Sequence, residues 1–140
     1  MAGTLIFWPM GALALLTFAV LGQIPRRRFA AVFRKDVTPD DFRFGESDRV
    51  SGHVAIPNRA MMNLLEVPML FYVICLMAYA SGGVTVAMVV LAWSYVALRV
   101  IHTLVHMTYN RVMHRLIPFA LSNAVLIAMW AVFFVGLWMR

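Results

Sequence analysis

Four long apolar runs divide this chain, and runs of about twenty residues or more leave a polypeptide few choices. They fall at residues 5–24, 58–80, 84–110 and 116–138. In hydrocarbon every backbone N–H and C=O must find its partner within the segment, so each run predicts a membrane-spanning helix. Hydrophobic residues make up 63% of the 140 and mean hydropathy is +0.82, which excludes an ordinary soluble domain. The expected fold is an all-α integral membrane protein. It is a four-transmembrane-helix bundle, one domain over residues 1–140, with a single sizeable loop at 25–57.

The formal charge of +6 sits in the loops. Arg26, Arg27, Arg28, Arg34 and Lys35 follow the first run, and Arg111, His114 and Arg115 separate the third from the fourth. That is the positive-inside pattern, so both loops are expected in the cytosol and both termini outside it. The charge then reads as topology and anionic-lipid contact, and nucleic acid is not an expected partner. A cleaved signal peptide would need basic residues before the first apolar run, and there are none. Trp8 at one end, with Trp138 and Arg140 at the other, reads as interfacial anchoring. Thr38, Pro39, Asp40 and Asp41 have the order of a short helix start. Ser81, Gly82 and Gly83 leave room only for a hairpin turn. Cys75 is the one cysteine, so no intrachain disulfide supports the fold.

Three polar residues interrupt the second run. Arg59, Asn63 and Glu66 stand at i, i+4 and i+7, hence on one helix face. A carboxylate inside a span costs ~2.5–3.5 kcal/mol on insertion scales, so it marks a site or a pairing partner. The third run repeats the pattern with Arg99, His102 and His106, continued by Tyr109 and Asn110. With ~1.5 Å of rise per residue in a ~30 Å core, Glu66 falls level with Arg99, Asn63 with His102, and Arg59 with His106. The expected result is a polar ladder that opens to the cytosol. Glu66 with Arg99 reads equally as an ion pair that only sets helix register. His102 and His106 lack a third ligand at a recognisable spacing, so no metal site is expected.

These two signatures resemble the MAPEG superfamily, the membrane-associated proteins of eicosanoid and glutathione metabolism. One is Arg59, Asn63 and Glu66 followed by Pro68; the other is Arg99, His102 and His106 followed by Arg115. The second is most similar to the branch that contains the microsomal prostaglandin E synthases. The resemblance implies a homotrimer with glutathione bound between neighbouring subunits near the cytosolic face. His106 stands where the family often has tyrosine, and Leu116 where it often has serine. Those departures suggest a bacterial-type relative, in an inner membrane, with its own second substrate.

The resemblance also implies roles. Arg59, and one of Arg26 to Arg28, would grip glutathione carboxylates through a bidentate fork. Glu66 would take the ammonium and Asn63 an amide. Arg99, His102, His106 and Tyr109 would complete the glutathione site, and Arg115 would stabilise the thiolate. The implied activity is a glutathione-dependent transferase or peroxidase for lipophilic electrophiles that arrive through the membrane lipids. Arg115 reads equally as a topology charge, and two other functions fit the residues. One is a non-catalytic lipid- or partner-binding protein with a structural ladder. The other is a proton or solute pathway through Glu66, His102, His106 and Tyr109, against which the apolar outer half of the chain argues.

Overall fold

The computed structural model describes residues 2–139, so Arg140 lies outside the described residues. Four helical stretches in it are long and apolar enough to cross a membrane: Gly3–Phe33, Gly52–Ala80, Val86–Met107 and Val112–Trp138.

A 3-10 segment, Ala2–Ile6, leads into α1, Phe7–Phe33. This helix continues past the expected end at Ile24, because arginine is a good helix former and three of them do not break the periodicity. It ends in a Schellman motif. Lys35 takes a left-handed φ of 61°, its N–H donates to the Val32 carbonyl at 2.9 Å, and Asp36 N–H donates to Ala31 at 3.1 Å.

The polar loop is thereby reduced from 25–57 to 34–51. Its expected helix start is one 3-10 turn, Pro39–Phe42. The Asp41 carboxylate organises it: Oδ2 accepts from Thr38 N–H at 2.8 Å and Thr38 Oγ1 at 3.0 Å, and Oδ1 accepts from Ser47 Oγ at 2.8 Å. The Thr38 backbone bond, then the Ser47 hydroxyl, hold this carboxyl below its ordinary pKa. Val37 buries itself against Ala31 and Val54, with Val32, Phe42 and Val50 packed around them. The loop therefore has a small core of its own.

The second span is not the single helix expected over 58–80. It is α2, Gly52–Leu65, then α3, Pro68–Ala80. Pro68 has no N–H to give Leu64, and its ring crowds that carbonyl, so the helix stops ahead of it. Glu66 carries the bend with φ −75° and ψ −91°. Met69 N–H then donates to Glu66 O at 3.3 Å, and Leu70 N–H to Val67 O at 3.0 Å.

Gly82, at φ 64°, turns the chain at the far end, where Gly83 N–H donates to Ala78 O at 2.7 Å. The hairpin α4, Val86–Met107, and α5, Val112–Trp138, completes the bundle. Leu13 and Val20 from α1, Phe71 and Ile74 from α3, Tyr95 from α4 and Met129 from α5 form its centre. Phe71 and Tyr95 stack with centroids 4.6 Å apart. Leu15, Phe18, Ile127 and Phe134 remain on the outside, which suits helices solvated by lipid tails rather than water.

Candidate functional site

Arg59 and Asn63 lie in the last three turns of α2. Asn63 turns its Nδ2 back to the Arg59 carbonyl, 3.0 Å away. That bond orients the side-chain amide, while the Asn63 backbone carbonyl faces α4 and accepts from Arg99 Nη2 at 2.9 Å.

Arg99 is fully buried. Its guanidinium lies 5.6 Å from the centroid of Tyr95 and 5.5 Å from that of Phe119. Its Nε and Nη1 have no hydrogen-bond partner. The expected pairing with Glu66 does not form: the ion pairs of the described residues are Arg28 with Glu46 and Arg34 with Asp36. Glu66 stands exposed at the bend. The reason is the break before Pro68, which ends the helical register that would have aligned Glu66 above Asn63.

His102 is buried one turn nearer the loop end of the bundle. Its Nδ1 is 2.9 Å from the Arg115 carbonyl. A carbonyl can only accept, so Nδ1 carries the proton, and neutral imidazole then has its lone pair on Nε2. Nε2 is buried and has no partner. The same is true of His106 Nδ1, whose ring lies 5.8 Å from that of His102.

Arg115, in the first turns of α5, donates Nη1 to Asn110 Oδ1 at 2.8 Å. Asn110 is held for this by a left-handed φ of 48° and by its N–H, which donates to Val105 O at 2.9 Å. Arg115 also lines a cavity of about 200 Å³ with Asn63, His102, Val112, Leu116 and Phe119. Three helices thus bring an amide, an imidazole and a guanidinium to one space, with the Arg99 charge behind it.

Not every expected residue joins them. Tyr109 is exposed, and its hydroxyl is 3.2 Å from His114 Nδ1, so it does not take the place of the family tyrosine inside this cavity. Arg26 lines a separate basic cavity of about 300 Å³ with Gln23, Arg27, Arg34 and His53. Arg59 and Glu66 are exposed at the surface of the protomer. Among the described residues no group of three His, Cys, Asp or Glu side chains could hold a metal.

Two contributors escaped the sequence reading: Tyr95, against the Arg99 guanidinium, and Phe119, which lies against Arg99 and lines the cavity. Tyr95 precedes Arg99 by four residues on the same face, and Phe119 follows Arg115 by four; that i+4 spacing was the available signal.

Residues 6–135 match the family model described as the MAPEG family. No curated protein and no solved structure matches the chain.

Proposed function

The chain belongs to the MAPEG family, and from that premise we propose that it is a glutathione-dependent transferase or peroxidase for lipophilic electrophiles. The observation that carries this reading is the buried Arg99 guanidinium, whose Nε and Nη1 have no hydrogen-bond partner and which has no carboxylate counter-ion among the described residues. A charge withdrawn from water and left unpaired is costly, and a bound anion offsets that cost. Glutathione, with two carboxylates and an ionisable thiol, would bring negative charge to the cavity in front of it, whose lining residues Asn63 and Phe119 also touch Arg99.

When bound, glutathione supplies the thiolate nucleophile that attacks the electrophile and displaces its leaving group. Arg115 stabilises that thiolate. A free thiol of pKa ~8.5 is only about 3% ionised at pH 7, and a nearby guanidinium that lowers the pKa by ~2 units raises this to roughly three-quarters. His102 fixes the backbone of Arg115 through its Nδ1–H and offers Nε2 as an acceptor. Asn63 presents an amide-binding group, and Arg59 and Glu66 take a carboxylate and the ammonium.

Arg59 and Glu66 are exposed on one protomer, and an exposed carboxylate in a span is costly. This supports a homotrimer in which a neighbouring subunit covers them. Arg26 or Arg27 of that neighbour then grips the second carboxylate. Arg28 lines a different cavity, beside Phe42, and drops out of that role. The loop end is cytosolic in this reading, as the arginines of α1 require.

The test is a pH titration of thiolate absorbance under saturating glutathione. Arg115→Ala should keep glutathione affinity within a few-fold while the bound thiol pKa returns towards ~8.5. The rate with a small aryl halide should fall in parallel. Arg59→Ala should weaken binding and leave the pKa of the bound thiol unchanged. If the parent binds no glutathione, a non-catalytic lipid- or partner-binding role replaces this one; binding without a pKa shift would remove Arg115 from the chemistry.

A further inference from the structure

A third cavity shares no lining residue with the one lined by Arg115. It is a slot of about 300 Å³ between the end of α1 and the 3-10 turn of the polar loop. Ile24, Pro25, Phe29 and Val32 form one wall, Phe42 overhangs the other, and Arg28 is its single charged residue. The spacing of the first wall is that of one helix face. The Arg28 guanidinium lies 4.7 Å from the Phe42 centroid and reaches Glu46 only at 3.4 Å. Its Nε is buried and without a partner.

Height decides what this slot meets. From Gly3 to Ile24 the helix rises about 30 Å, the thickness of the hydrocarbon layer. The slot therefore begins where hydrocarbon ends and continues through the glycerol and headgroup layer. Pro25 is exposed beside it, and Phe29 and Phe33 are 63% and 83% exposed, so its rim is apolar and open to the bilayer surface. Arg26, Arg27 and Arg34 add positive charge nearby, in the leaflet where anionic lipid concentrates if the loop end is cytosolic.

We propose that this slot binds an anionic phospholipid. The upper methylenes of an acyl chain lie along Ile24, Phe29, Val32 and Phe42, and the phosphate accepts from Arg28 in place of the long contact to Glu46. An apolar channel with one guanidinium matches a molecule with one anionic group joined to a chain. Occupancy would tie the polar loop to α1, since the ligand touches both. The inference does not depend on glutathione.

Photolabelling of the whole protein in phosphatidylcholine nanodiscs tests it, with phosphatidylglycerol carrying a diazirine on its acyl chain as probe. Label should concentrate between Ile24 and Phe42, and unlabelled phosphatidylglycerol should displace it about ten-fold better than phosphatidylcholine, whose choline cation cancels the phosphate charge and is repelled by the neighbouring arginines. Arg28→Gln should cut labelling by a similar factor, while Arg43→Gln, outside the slot, should not. Val32→Trp should fill the space and abolish labelling; if that variant melts below the parent, Ile24→Trp closes the same slot from its membrane end. Label spread evenly over Leu15 and Phe18 would overturn the site, as would labelling indifferent to Arg28→Gln and to the slot-filling change. Displacement by oleate at least as well as by phosphatidylglycerol would reassign the slot to a fatty acid. Displacement by inorganic phosphate would reassign it to a soluble anion.

Discussion

A guanidinium held out of water with idle N–H groups costs several kcal/mol relative to a paired one. Arg99 is in that state, with one bond to the Asn63 carbonyl and two orphaned nitrogens. Arg99→Met, of comparable length and without charge, should therefore melt within a few degrees of the parent when no ligand is present. The stabilisation that glutathione confers should shrink in that variant, because the anion loses its buried partner. Thermal melts with and without glutathione check both. A large loss of stability in the absence of ligand would mean that Arg99 is structurally satisfied. Asp41 provides a contrast at the same scale. Its carboxyl is held below the ordinary pKa by Thr38 and Ser47, so its contribution is fully present above about pH 4 and is lost as pH falls through the depressed value. Amide exchange over 38–47 should accelerate at pH 3 relative to its pH-corrected rate at pH 7, and Asp41→Asn should show the faster exchange at both.

The elements are bounded by a few backbone devices, and two of them decide where functional groups fall. The break before Pro68 leaves Glu66 at a helix end rather than within a span of continuous register. The Schellman motif after α1 directs the polar loop back over the helix, yet it places Lys35 at a φ of 61° that favours glycine. A side chain in the left-handed region costs roughly 1 kcal/mol, so Lys35→Gly should stabilise the protein by up to about 1 kcal/mol without moving the loop. Denaturant melts in detergent measure this. Destabilisation would show that the lysine side chain, and not its backbone, is what the position needs.

At the scale of the molecule, four membrane-spanning helices present a mostly apolar exterior with Arg59 and Glu66 among its exposed polar groups. Cysteine labelling of intact cells, in a Cys75→Ala background, should reach positions 2 and 140 from outside but position 45 only after permeabilisation. Labelling of position 45 from outside would reverse the orientation and the cytosolic site with it. The spans were legible because hydropathy over ~20 residues measures a cost that no tertiary contact can remove. Helix faces were legible too: the 3.6-residue period puts Arg59 with Asn63, and Arg99 with His102 and His106, whatever packs against them. Which groups pair across helices was not. That depends on the bend at Glu66, on a backbone carbonyl of Asn63 that no side-chain pattern encodes, and on the Asn110 conformation that holds Arg115. Periodicity is a property of one helix and can be read along the chain. The register between helices is set by their breaks, caps and packing, and only the folded bundle decides it.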